Sequence, residues 1–172
     1  VLCRHPDAQG HACGECEGCR LRLSGNHPDL LRIVPEADLP EEAQSGGKTK
    51  PSSQIVVDQI RALREQLSVT AHQSSLRVVL IDPAEAMNMN TANALLKLLE
   101  EPPAGSLFLL VSSAPRRLLP TIRSRCQQWD FPRPDPTLAG QWLTEAAGEG
   151  ALPLLDLTGG MPVAAARLAT QA

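Results

Sequence analysis

Four of the five cysteines of this chain fall within its first nineteen residues, as Cys3-x9-Cys13-x2-Cys16-x2-Cys19. Tetrahedral zinc takes four thiolates at about 2.3 Å, and Cys-x2-Cys turns carrying Gly14 and Gly18 let a short loop aim its sulfurs at one point. The spacing predicts a Zn2+ site with Cys3, Cys13, Cys16 and Cys19 as ligands. Disulfides are the alternative. The chain reads as intracellular and cytoplasmic, where thiols stay reduced, and so short a loop would strain paired bridges. His5 or His11 could replace one cysteine, but four sulfurs already close the shell. With no open position for water, the metal would be structural. Cys126 stands far away among arginines and reads as a small buried hydrophobe.

Phosphate chemistry is the second candidate. A P-loop needs Gly-x4-Gly-Lys-Ser/Thr after a strand, so that backbone N–H groups and a lysine cradle the phosphates. Gly46-Gly47-Lys48-Thr49 lacks the first glycine at that spacing, a strand before it and an apolar helix after it, and reads as linker. Arg77-Val78-Val79-Leu80-Ile81-Asp82 resembles the strand whose terminal aspartate helps to hold magnesium and whose next residue, a glutamate, positions the attacking water. Here the next residue is Pro83, which has no group able to orient water, and Glu85 comes two residues too late. Hydrolysis by this chain is not expected.

From Pro102 to Trp129 there is no acidic residue, while Arg116, Arg117, Arg123 and Arg125 fall inside that window. Composition alone favours a solvated basic loop. Two motifs change that reading: Asn93-Ala94-Leu95-Leu96-Lys97-Leu98-Leu99-Glu100-Glu101-Pro102-Pro103 and, about twenty residues on, Ser124-Arg125-Cys126. Together they resemble the AAA+ subunits of the bacterial DNA polymerase III clamp loader. The resemblance covers nearly all of residues 1 to 170. It implies that Arg125 is a trans arginine finger reaching the ATP of an adjacent motor subunit, with Ser124 fixing the loop and Cys126 packing behind it. The Gly159-Gly160-Met161-Pro162 segment resembles the lid-helix start where active relatives place a phosphate-sensing arginine; Pro162 holds that position here.

The resemblance therefore implies a non-hydrolysing ring member that binds no ATP productively. Its implied partners are the gamma/tau motor subunits and the delta subunit, with the sliding clamp and primed DNA met through the assembled complex. An ATP-hydrolysing gamma/tau motor is one rival, requiring a Walker A sequence upstream and a tolerated Pro83. A stand-alone zinc-dependent nucleic-acid-binding module is another. A net charge of −3, no tyrosine, and only two tryptophans and two phenylalanines argue against it. Arg116 and Arg117 could approach DNA or a neighbour, and the sequence does not separate those options.

These residues need elements to position them. The 172 residues, 42% hydrophobic and 20% charged, can bury one core with a small appendage, and no apolar run approaches the ~20 residues of a membrane span. The opening at Val1 reads as the interior of a longer gene product. Asp29 to Val34 predicts a strand, Glu36 to Ser53 a mobile loop, and Val57 to Leu67 an amphipathic helix. Arg77 to Asp82 predicts a buried parallel strand with Asp82 at its C-terminal tip. A helix capped near Asn88, Asn90 and Thr91 runs until Pro102-Pro103 forbids another turn. The Leu95/Leu99 helix with Lys97 could be a partner surface, but leucines at that spacing read as scaffold. Leu107 to Val111 predicts a second buried strand, Leu118 to Arg123 a short helix, and Gln128 to Phe131 a final strand. The alternation implies an α/β fold, an AAA+ (RecA-like) parallel sheet with an embedded four-cysteine zinc module at about 3–19. The expected domains are 1–132, an N-terminally incomplete core, and 133–172, a partial helical lid beyond the Pro132, Pro134 and Pro136 linker.

Overall fold

A computed structural model describes residues 2–40, 50–68 and 76–171. Gly46 to Thr49 and half of the expected loop at 36–53 lie outside the described residues. Three strands, β1 (Leu30–Ile33), β2 (Arg77–Ile81) and β3 (Ser106–Leu110), form a parallel sheet in the order β1-β2-β3. The register pairs Ile33 with Ile81 and Ile81 with Leu110, which places Asp82 just past the C-terminal edge of the central strand. Parallel neighbours cannot be joined by a tight turn, so helices must cross over between them. Between β1 and β2 runs α2 (Val57–Ser68); between β2 and β3 runs α3 (Met89–Glu100).

Each helix forms where the spacing of apolar residues predicts it. In α2, Ile60, Leu63 and Leu67 recur at helical spacing and are buried, while Arg61 and Arg64 stay outside. Asn88 caps α3 by accepting the Thr91 N–H at 2.9 Å, and the helix stops at Glu100, two residues before Pro102. Leu95 is fully buried and Leu98 nearly so, with Leu96 and Leu99 packed against the same core. That supports the scaffold reading of this helix. Val79 and Ile81 of β2 complete the core together with Ile55 and Ile122. Truncating so enclosed a leucine to alanine costs about 3–5 kcal/mol.

Two expectations are corrected. β3 is not buried on both faces: Phe108 and Leu110 pack on the core, whereas Leu107, Leu109 and Val111 are exposed. It is an edge strand of the three-stranded sheet, and the side chains of its second face are partly exposed. Residues 128–131 form no strand, and Trp129 and Phe131 are 72% and 89% exposed. An apolar pattern becomes a strand only where a neighbouring ladder accepts its backbone groups, and no such ladder forms there.

The chain divides into two compact units, Val1–Gln127 and Gln128–Ala172. The second holds α5 (Pro136–Ala147), α6 (Leu154–Leu157) and α7 (Pro162–Ala169) around Leu143, Ala151 and Ala165. The Asp135 carboxylate caps α5 through the Thr137 N–H at 2.8 Å. Gly159 and Gly160, at φ of 60° and 80°, make the turn between α6 and α7 in a region that side chains disfavour. No helix among the described residues is long and apolar enough to cross a membrane.

Candidate metal centre and arginine loop

The cysteine module is built from an irregular segment and the first helix, α1 (Glu17–Leu23). Cys16 is the N-cap of α1 and Cys19 lies one turn inside it, buried, so the helix itself sets two sulfurs side by side. Gly14, at φ of 79°, turns the chain between Cys13 and Cys16. Gly18 has no room for a side chain: a Cβ there would run into the carbonyl of Leu2 and approach His27. This close approach brings the Cys3 segment against α1. Asp7 shapes the long first loop by accepting the Gln9 and His11 N–H groups at 2.9 and 2.7 Å.

The four sulfurs all lie within 4.8 Å of one another. Cys3 to Cys13 is 3.6 Å, Cys13 to Cys19 is 3.9 Å, and Cys16 to Cys3 is 3.9 Å. Four ligands placed tetrahedrally at about 2.3 Å from zinc stand about 3.8 Å apart, so the cage has the size the metal requires. Disulfides require about 2.05 Å, and all the cysteines are free thiols. The Arg4 amide and then the Cys19 amide donate to the Cys16 sulfur and hold its pKa down to about 6. The Cys13 amide, donating to the Cys3 sulfur, lowers the Cys3 pKa, while burial pushes Cys19 up to about 12. The four cysteines can therefore hold a metal ion. His11 is not among the donors: its Nδ1 faces the Asp7 carboxylate at 3.1 Å.

Sequence reasoning missed His27. It is buried at 4% exposure, accepts the Asp29 N–H at its Nδ1 at 3.1 Å, and backs Gly18 from inside. A lone histidine before a proline carries no pattern that could have singled it out.

The second region is the arginine loop. A short helix, α4 (Pro120–Arg123), buries Ile122 in the core and delivers Ser124, Arg125 and Cys126 at its end. The Ser124 hydroxyl donates to the Thr121 carbonyl at 3.2 Å, and the half-buried Cys126 packs against the core, where burial pushes its thiol pKa up. The Arg125 side chain, 34% exposed, donates through Nη1 to the Thr121 carbonyl at 2.9 Å and through Nη2 to Glu100 Oε1 at 2.6 Å. Glu100 is the other residue that sequence reasoning missed as a partner.

At the tip of β2, Glu85 accepts the Ser113 N–H at 3.1 Å and its hydroxyl at 2.7 Å. Burial alone would push this carboxyl up, but the hydroxyls of Ser112 and Ser113 with the Ser113 amide hold it down to about 2. Glu85 thus braces the loop after β3. Arg116 and Arg117 are exposed on the segment before α4.

Comparison with known proteins places these features in one family. The family model described as DNA polymerase III, delta subunit, matches residues 1–135. The DNA polymerase III subunit delta′ of Pseudomonas aeruginosa is 46% identical over 172 residues, covering 98% of this chain and 48% of the relative. The chain belongs to the DNA polymerase III delta-prime family. The delta′ subunit of Yersinia pestis is 39% identical, again over 98% of this chain and 48% of its own length. The chain thus spans about half the length of these curated delta-prime relatives. Among solved structures, a DNA polymerase III gamma subunit-related protein of Thermotoga maritima superposes with a TM-score of 0.59 at 26% identity, over 91% of this chain and 50% of that one. The sheet and the cysteine cage seen here fit the AAA+ fold.

Proposed function

We propose that this chain is part of a clamp-loader subunit that does not hydrolyse ATP and donates Arg125 to the ATP site of a neighbouring motor subunit. The carrying observation is the arginine loop: α4 and Cys126 hold the backbone, and the guanidinium stands at the surface on two anchors. Guanidinium is always charged and planar, which suits it to phosphate oxygens. Pro83 after Asp82, and Glu85 committed to Ser113, support the absence of hydrolysis here. The four-cysteine cage is read as a structural Zn2+ site of Cys3, Cys13, Cys16 and Cys19.

In this reading the gamma/tau subunits bind and hydrolyse ATP, the delta subunit is a further ring member, and the sliding clamp and primed DNA are met by the assembly in the cytoplasm. Residues 133–172 form part of the lid. The likeness in fold to a gamma subunit-related protein favours one rival, an active motor. ATPase assays of the full-length subunit, alone and reconstituted with the motor subunits as wild type or Arg125→Ala, separate the two. Silence alone with reduced turnover in the mutant assembly supports the donor. Robust turnover by the subunit alone supports the motor.

A further inference from the structure

We propose that Glu100 is a positioning residue for the Arg125 guanidinium, holding it in the orientation in which it meets the phosphates of the neighbouring subunit. The proposal rests on the reading of Arg125 as a trans donor.

Glu100 is the last residue of α3, where a carboxylate faces the negative end of the helix dipole and the unpaired carbonyls of the final turn. Local structure therefore disfavours a carboxylate there, and its partner is Arg125. The 2.6 Å contact from Nη2 to Oε1 is short even for a charge-assisted hydrogen bond. The second contact, from Nη1 to the Thr121 carbonyl at 2.9 Å, comes from α4. One contact would let the guanidinium pivot. Two contacts, at different nitrogens and from different helices, fix both its position and its plane.

A guanidinium carries five N–H donors, and these anchors use two, leaving three for phosphate oxygens. The side chain is 34% exposed, so the remaining donors are accessible. An unanchored surface arginine samples many rotamers and must be ordered when it meets its target. Here Glu100 has already selected the geometry. Glu100 is 46% exposed, and water screens its charge from an approaching phosphate while the guanidinium remains a cation.

The test uses the full-length subunit reconstituted with the motor subunits, clamp and primed DNA, comparing wild type, Glu100→Ala, Glu100→Gln, Arg125→Ala and the Glu100→Ala/Arg125→Ala double variant. Glu100→Ala is expected to lower kcat for ATP roughly tenfold with KM unchanged, within the ~10²-fold that a misplacement of about 1 Å can cost. Glu100→Gln keeps the acceptor oxygen and is expected to recover most of the rate. The double variant should be no slower than Arg125→Ala. If Arg125→Ala abolishes turnover but Glu100→Ala leaves it unchanged or raises it, the positioning role is overturned and the donor reading stands. A Glu100→Ala defect that glutamine does not rescue, or that adds to Arg125→Ala, also overturns it. Unchanged turnover in Arg125→Ala overturns the donor reading, and the proposal with it.

Discussion

In the cysteine module, all four donor groups come from residues 3–19, and helix α1 with a glycine turn brings them together; in the arginine loop, Arg125 is held by α4 beside it and by Glu100 from the end of α3. The first site is complete within one short segment. The second exists only because two helices pack on a shared core, and its proposed target lies in another molecule. A cage that closes on itself tolerates change in the rest of the fold but fails with any one ligand. On the proposed reading, the anchored arginine can lose its side chain with little cost to folding and is expected to fail only in what it does to a partner.

Four perturbations sharpen that contrast, in decreasing order of effect. Cys16→Ser removes one of the four proposed zinc ligands. Bound zinc, measured by atomic absorption on purified protein, should fall from one per chain to none, and the module should lose its order in hydrogen exchange. Structural zinc contributes on the order of 10 kcal/mol in small zinc modules, so this is the largest change. Retention of a full equivalent of tightly bound zinc would break the assignment.

Arg125→Ala should reduce ATP turnover of the reconstituted complex by about 10³-fold or more, equivalent to roughly 4 kcal/mol of barrier. The same variant should melt within a few degrees of wild type, because a partly exposed ion pair is worth about 0–1 kcal/mol. A large loss of thermal stability would move Arg125 from the functional side of the comparison to the structural side.

Gly18→Ala should destabilise the cysteine module by about 1–3 kcal/mol, since the added methyl must displace the Leu2 carbonyl or α1. Competition with a chromophoric chelator should show weaker zinc retention, while turnover of the reassembled complex should change far less. Equal loss at both sites would mean that the two regions are coupled.

Glu85→Gln gives the smallest effect, and it depends on pH. The folded pKa of Glu85, about 2, lies below its ordinary 4.5. The carboxylate therefore stabilises the fold above about pH 4.5, and that stabilisation is lost as pH falls towards 2. A shift of that size corresponds to about 3 kcal/mol, and solvent screening of a partly exposed group reduces it to about 1 kcal/mol. Denaturant titrations of wild type and Glu85→Gln should differ at pH 6 and converge near pH 2. A constant difference across that range would remove Glu85 as the acid-sensitive brace between the tips of β2 and β3.

The sequence alone determined what depends on neighbours along the chain. The clustering of four cysteines follows from Cys-x2-Cys spacing, the ends of α3 from Asn88 and Pro102, and the central strand from an unbroken aliphatic run. Pro83 after Asp82 is likewise a property of adjacent residues. Tertiary structure decided what depends on partners distant in sequence. Residues 128–131 have an apolar pattern but no ladder, and β3 looked buried but is covered on one face only. His27 packs close to Gly18 of the cysteine module, and Glu100 meets Arg125 across two packed helices. Periodicity reports which face of an element prefers to leave water. It carries no information on which other element arrives to cover that face, or which side chain arrives with it; only the packed core settles those pairings.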